Sequence, residues 1–474
     1  MNEATTLPLV AVAGASGFVG QALASTLAKR LRVVGISRAI PREAAPAFAE
    51  WRRADLFNLR EAEAALEGAK YAVYLVHSMM PSARLTQGSF ADLDLVCADN
   101  FARAAKHAGV EQIVYLGGLI PEGPGELSPH LESRLEVETT LGAYGVPVTV
   151  LRAGMVIGGG GSSFQMLERL VKRLPAMICP AWTRTRMQPV AVDDVVKLLA
   201  FAVGEAACFG QIFDVGAPEA MSYRELMALT AELLGVRRPM VPVPLFTPAL
   251  SRLWVSLITG APKALAGPLV ESLRHEMVAR DHRLADMAGL TPTPARTALE
   301  QALAFESKKR TRPSADSSPP ATVAPIRERP HVRSVQRMQL PAGRDAAWAA
   351  DEYARWIPRG LRGLLRVEVD PDRTCRFYFG SMKRSLLELT YAGDRSYPDR
   401  QLFYVTGGLL TSTRVTNGGR ARFELRQVLD RRTLVTAIHD YRPRLPWYVY
   451  RATQARVHAA VMEAFGRHLA SATF

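Results

Sequence analysis

Three groups of residues have types and spacing that bear on chemistry. The first is Gly14-Ala15-Ser16-Gly17-Phe18-Val19-Gly20, which follows the apolar run Leu9–Ala13 and opens a helical pattern through Leu23, Leu27 and Arg30. Gly14 permits a tight turn off a strand end, Gly17 lets a ligand come close to the backbone, and Gly20 lets the helix pack on the strand. The first helical N–H groups then face an anion, and the helix dipole favours a pyrophosphate there. The plain alternative is a strand-turn-helix without a ligand.

The second group is Ser37-Arg38, at the end of the run Leu31–Arg38. In a dinucleotide fold this strand end faces the adenosine ribose. An acidic residue there holds the ribose hydroxyls and repels a 2′-phosphate. A guanidinium instead offers paired donors to a phosphate. NADP(H) is therefore expected in preference to NAD(H), with a solvated loop charge as the alternative for Arg38. Asp55 is placed to accept from the adenine amino group, with Leu56 against the ring. The third group is Val76-His77-Ser78, closing the run Tyr71–Ser78. Ends of parallel strands face the ligand crevice, so these residues are expected on the nicotinamide side. A hydrogen-bonding structural histidine is the alternative for His77.

The elements that position these groups follow from periodicity. Short apolar runs at 9–13, 31–38, 51–53, 71–78 and 112–118 alternate with helical patterns, among them Leu59–Leu66 and Phe90–Ala108. Strands separated in this way imply right-handed βαβ units and a Rossmann-type, doubly wound parallel sheet in the α/β class.

Composition bounds the function. The chain has 474 residues, 48% hydrophobic and 22% charged, with a net charge of +14. Such an excess favours anionic partners, but there is no zinc-finger spacing and no aromatic RNA-binding signature, so no nucleic-acid partner is expected. Cys97, Cys179, Cys208 and Cys375 are widely spaced, without a Cys-x-x-Cys pair. Free thiols, a cytoplasmic setting and no metal site are expected. No apolar run approaches the ~18–20 residues of a membrane span.

Further motifs carry a resemblance. Ile113-Val-Tyr-Leu116, Val148-Thr-Val-Leu151-Arg152-Ala-Gly154, Gln188-Pro-Val-Ala-Val-Asp193-Asp194-Val195, Phe213-Asp-Val-Gly216-Ala-Pro218-Glu219 and Ser222-Tyr-Arg-Glu225-Leu226 follow the glycine turn in order. Residues 8–300 thereby resemble the atypical short-chain dehydrogenase/reductases, in the branch of NmrA-like regulators and complex I accessory-subunit-like proteins. The resemblance implies a serine after the fifth strand and a Tyr-x-x-x-Lys set. Here Gly117-Gly118 stands at the serine place. On the next helix His130 stands at the tyrosine place and Arg134 at the lysine place. By this alignment Arg134 holds ribose or phosphate but cannot transfer a proton, and His130 is a general acid near neutral pH. Two readings stand side by side. One is a reductase passing hydride to a hydrophobic carbonyl or enone. The other is a non-catalytic NADP(H)-binding redox sensor or assembly factor.

The glycine run Gly158–Gly161 is expected as a loop near the cofactor or a plain connection. Between Met240 and Ala266, Trp254, Leu257 and Ile258 form a surface for peripheral contact with an anionic membrane, or a lid. The sequence divides into a nucleotide domain at 1–305, a polar linker at 306–330 and a smaller domain at 331–474. The last shows a strand, a helix, alternating antiparallel strands with one wet face, and one long helix Trp447–Leu469. Its element order resembles the helix-grip fold of START-like and polyketide-cyclase-like proteins, which implies a small hydrophobic ligand. Phe377, Phe379, Phe403, Tyr404 and Phe423 line its pocket or fill its core.

Overall fold

The computed structural model describes residues 7–41, 46–77, 83–123, 125–243, 270–311, 329–412 and 420–471. The chain forms two compact units, 1–80 with 94–317 and 81–93 with 318–474.

In the first unit the strands β1 (Leu9–Ala13), β2 (Arg32–Ser37), β3 (Glu50–Arg53), β4 (Tyr71–Tyr74), β6 (Gln112–Gly118), β7 (Val148–Ala153) and Ile212–Val215 form one sheet. β5 (Ala83–Gln87) belongs to the other unit. Across the first sheet the order is Ile212–Val215, β7, β6, β4, β1, β2, β3, and every pairing is parallel. The order reverses between β1 and β4, the position where doubly wound sheets bind ligands at their strand ends. A parallel sheet is covered on both faces, so its strands are continuously apolar. Val10, Ala11, Val12 and Ala13 are fully buried.

Helices α1 (Phe18–Leu27), α2 (Leu59–Leu66), α3 (Phe90–His107), α4 (Pro129–Leu141), α5 (Ser162–Arg173), α6 (Val192–Ala202) and α7 (Tyr223–Leu233) follow in order. Leu23, Ala24 and Leu27 of α1 share a core with Val195, Leu198 and Leu199 of α6. Several starts are capped by side chains, which occupy orphan N–H groups. Asn58 accepts from Arg60 N before α2, and Ser128 accepts from Leu131 N before α4 with Pro129 in the first turn. Ser222 and Glu225 close a reciprocal capping box on α7, which is the local reason for the Ser222-Tyr-Arg-Glu225 motif.

The other recurring motifs tie later segments to the sheet. Arg280 grips the Asp214 carboxylate through Nε at 2.6 Å and Nη2 at 2.7 Å. Asp194 accepts from Thr293 N and Oγ1 at 2.7 and 3.0 Å. Glu219 accepts from Ala295 N at 2.7 Å. Arg152 holds Glu138 with two bonds of 3.0 and 2.7 Å, joining β7 to α4.

The second unit is an eight-stranded sheet. Its order is Leu365–Val369, Cys375–Phe379, Leu387–Tyr391, Arg400–Gly407, Arg422–Val428, Thr433–Tyr441, Arg329–Gln339, β5. All pairings are antiparallel except the last, where β5 runs parallel to Arg329–Gln339. The helices Ala346–Gly360 and Gln454–Ser471 share one apolar core with the sheet, including Trp356, Phe403, Phe423, Leu434 and Phe465.

Two expectations for this unit change. The single helix Trp447–Leu469 is two, Trp447–Ala452 and Gln454–Ser471, because Thr453 leaves helical geometry at φ −120° and ψ −85°. Val457 is therefore exposed, while Tyr450, Phe465 and Leu469 stay buried. The charged face of Arg422–Val428 is not wet: Arg422, Glu424 and Arg426 are buried along with Phe423 and Leu425. These charges pair with one another and with Arg400 and Asp440. Glu424 receives Arg400 at 3.0 Å, Arg422 at 3.2 Å and Arg426, and Arg422 also reaches Asp440 at 2.7 Å. Burial alone would raise the Glu424 pKa, but the guanidinium groups of Arg400, Arg426 and Arg422, with His439, hold it well below the usual carboxylate range.

Candidate functional site

The glycine turn sits where β1 ends. Gly14 has φ +83°, and a Cβ there would stand 2.8 Å from the Leu75 carbonyl oxygen. Gly17 N donates to Gly14 O at 2.9 Å, closing the turn. A Cβ on Gly20 would meet Gly14 O at 2.5 Å and Ala15 Cα at 2.8 Å, so the first turn of α1 lies directly on the glycine turn. Gly17 is the N-cap of α1; no side chain caps this end and its first turn holds no acidic residue. Ser16 Oγ lies 2.9 Å from Ser37 Oγ, joining the glycine turn to the end of β2. Arg38 follows, half-buried, with no ion pair or hydrogen bond among the described residues.

Val19 packs partly against the core below α1. Phe18 packs on the Gly158–Gly161 loop: a Cβ on Gly158 would lie 2.6 Å from its Cζ. That loop is tight because Phe305 fills it as well and Gly160 N donates to Glu306 Oε1 at 2.8 Å. Asp55 and Leu56 are buried beyond β3. Asp55 Oδ1 accepts from Phe57 N at 3.3 Å, and the Leu56 carbonyl accepts from Asn100 Nδ2 at 2.8 Å.

Val76 and His77 continue past β4, two residues beyond the Leu75 backbone that abuts Gly14. Ser78 lies outside the described residues, as do Trp254, Leu257 and Ile258. α4 brings Arg134 and His130 to the same sheet edge. Arg134 is buried and places one Nη on the Asp94 carboxylate of α3 and the other 3.2 Å from His77 Nε2. Tyr115 OH donates to the Arg134 carbonyl at 3.4 Å. The His130 ring stacks on His77 with centroids 6.3 Å apart and planes 18° apart. Gly118 faces this group: a Cβ there would contact Arg134 Cγ at 3.6 Å. Gly117 is tighter, with the Tyr115 ring 3.0 Å from its would-be Cβ.

The electrostatics correct one expectation. Burial, with the Arg134 charge beside it, pushes the His130 pKa down to about 4. His130 is therefore neutral at pH 7 and carries no imidazolium proton to give as a general acid. His77 keeps exposed surface, yet the packing around its ring, then Arg134 and His130, hold its pKa well below the ordinary value. Asp94 was not singled out by the sequence. Its signal was an acidic residue inside the apolar run Leu93–Ala98 of α3.

In the second unit a groove of about 530 Å³ lies between Ala346–Gly360 and the strands Leu365–Val369 and Cys375–Phe379. Of the five expected aromatics only Phe403 reaches it; Phe377 and Phe423 fill the core, and Phe379 is exposed. Tyr404 is half-buried. All four cysteines are buried and none forms a disulfide. No described helix is long and apolar enough to cross a membrane.

Residues 10–216 match the NAD dependent epimerase/dehydratase family. The match falls within the Rossmann-type parallel sheet of the first unit; the second, mixed-sheet unit lies outside it. Among relatives by sequence, the auxiliary protein GraX of Staphylococcus aureus is 32% identical over 145 residues, 30% of this chain and 42% of that one. An uncharacterized protein of Mycobacterium tuberculosis is 26% identical over 237 residues, 49% of this chain and 24% of that one. The chain spans less than half the length of these relatives. Among solved structures, an NADPH-dependent quinone oxidoreductase of Escherichia coli is 20% identical, with TM-score 0.48, over 62% of this chain and 99% of that one. A triphenylmethane reductase of Citrobacter sp. complexed with NADP(H) is 19% identical, with TM-score 0.49, over 62% of this chain and 99% of that one.

Proposed function

We propose that the first unit binds NADP(H) and passes hydride between its nicotinamide and the carbonyl or enone carbon of a hydrophobic substrate. The observation that carries this reading is the bare N-terminus of α1 behind the Gly14 turn, bridged by Ser16 and Ser37 to Arg38, which has no partner among the described residues. The turn brings backbone N–H groups to a pyrophosphate. Arg38 supplies a guanidinium to the 2′-phosphate. The bound dinucleotide would supply or take the hydride, while the chain binds it and orients the substrate. Val76, His77, Gly117 and Gly118 share the strand-end edge on which the nicotinamide would lie. Preference for NADP(H) over NAD(H) rests on Arg38 alone.

Calorimetric titration of NADPH and NADH into the protein tests the reading. Gly17→Asp is the control, because it sets a carboxylate at the helix end where the pyrophosphate would sit. Tight NADPH binding, lost in the variant and weaker for NADH, is the expected result. Absence of binding for both dinucleotides overturns it.

A second reading, a cofactor-binding sensor or assembly factor without turnover, draws on a specific observation. Arg134 is already engaged by Asp94 and His77, and His130 is no acid at neutral pH. NADPH oxidation across a panel of hydrophobic carbonyls separates the two.

A further inference from the structure

We infer that His77 is the hydrogen-bond donor to the substrate oxygen, held in its Nδ1–H tautomer by Arg134, with Asp94 fixing Arg134. The inference rests on the NADP(H)-reductase reading and assigns a role that the residues at the usual acid position do not fill.

A guanidinium has donors only. With Arg134 Nη1 3.2 Å from His77 Nε2, that nitrogen must accept. A neutral imidazole has one acceptor and one donor, so its proton resides on Nδ1. The other arm of Arg134 is tied to Asp94, and both residues are buried, so the ion pair holds the guanidinium beside the ring. Its positive charge also opposes protonation of His77, which keeps the ring neutral and the tautomer single. A neutral imidazole fixed in this way is an electrophile for a developing oxyanion.

Position supports the same role. His77 lies two residues past Leu75, whose carbonyl abuts Gly14, at the point where the strand order reverses. His77 alone of the set retains substantial exposure; Arg134 and Asp94 are buried behind it and His130 stacks on its ring. Arg134 and Asp94 are thus positioning residues, and His77 is the catalytic one. In the reductive direction bound NADPH would supply hydride to the carbonyl carbon and solvent water a proton to its oxygen, while His77 Nδ1–H would hydrogen-bond that oxygen as negative charge develops on it.

Two measurements on the full chain test this. Long-range ¹H–¹⁵N NMR of ¹⁵N-histidine-labelled protein reads the tautomer. The wild type is expected to show His77 as Nδ1–H, and Asp94→Asn with Arg134→Gln, which removes both charges together, is expected to release it to a mixture. With NADPH and a hydrophobic quinone as probe, His77→Ala is expected to lower kcat by about 10²–10³. With kcat compared at saturating NADPH, His77→Asn, whose amide nitrogen takes the Nδ1 place, should recover more than His77→Gln. An Nε2–H tautomer in the wild type, full turnover in His77→Ala, or a wild type that binds NADPH but turns over no quinone each overturns the inference. Failure of the wild type to bind NADPH overturns the cofactor reading instead.

Discussion

The carbonyl oxygen of Leu75 lies 2.8 Å from where a Cβ on Gly14 would stand, so β4 and the glycine turn leave space for no side chain between them. Gly14 also has φ +83°, which a side chain resists. Gly14→Ala should cost about 1–3 kcal/mol of stability, seen as a lower urea midpoint at unchanged slope, and should abolish NADPH binding. Wild-type stability in this variant would show that the turn relaxes freely.

Arg38 has no partner to lose among the described residues. Arg38→Ala should therefore leave the melting temperature unchanged. It should weaken NADPH binding by about tenfold or more, the equivalent of one charge-assisted hydrogen bond, with NADH unaffected. Equal weakening of both dinucleotides would place Arg38 away from the 2′-phosphate.

The would-be Cβ of Gly118 meets nothing closer than Arg134 Cγ at 3.6 Å, whereas that of Gly117 meets the Tyr115 ring at 3.0 Å. Gly118→Ser should be accepted within about 0.5 kcal/mol, as surface-like substitutions are. Gly117→Ser should cost more, about 1–3 kcal/mol, by overpacking. Denaturant melts of the two variants compare them directly.

Acid should unfold the protein through its histidines. Burial pushes His130 and His458 down to about 4, and burial with neighbouring guanidinium charge holds His77 and His439 well below the usual range. A histidine with a lowered native pKa binds more protons when unfolded. Its contribution is complete above pH ~6.5 and is lost as pH falls from there towards about 4. Chemical denaturation at a series of pH values should show stability falling steadily through that window. A flat profile between pH 7 and 5 would contradict the burial of these rings.

Glu424 is the shared carboxylate of Arg400, Arg422 and Arg426. Glu424→Gln removes the central charge and leaves buried cations facing one another. A loss of about 3–5 kcal/mol is expected. Glu424→Gln combined with Arg426→Met should recover part of that loss, as a double-mutant cycle would reveal.

The sequence made the first unit legible because a parallel sheet writes itself in continuous apolar runs. Leu59–Leu66 and Gln112–Gly118 fall where the periodicity put them, and Gly14 takes the left-handed conformation that its turn requires. Side-chain chemistry was less visible. Whether His130 is an acid depends on burial and on Arg134, which is four residues away in sequence but acts through space. Asp94 is paired with Arg134 across forty positions, a relation that no local pattern encodes. In the second unit, alternation located the strands but misread their faces. Arg422, Glu424 and Arg426 look like a solvent face, and only the three-dimensional count of partners shows them as a buried ionic layer. The break at Thr453 likewise leaves no proline or glycine to announce it.

β5 gives the chain a particular topology of dependence. The second sheet ends in a strand that is encoded within the first unit, more than two hundred positions upstream of its neighbour Arg329–Gln339. During synthesis that strand leaves the ribosome long before the sheet it completes, and must wait for it. A fragment cut at residue 318 would carry seven strands and a bare edge along Arg329–Gln339, the kind of edge that pairs with other chains. No single cleavage divides the two units, so a genetic excision that respects the fold needs residues 81–93 supplied in trans or grafted onto the new N-terminus.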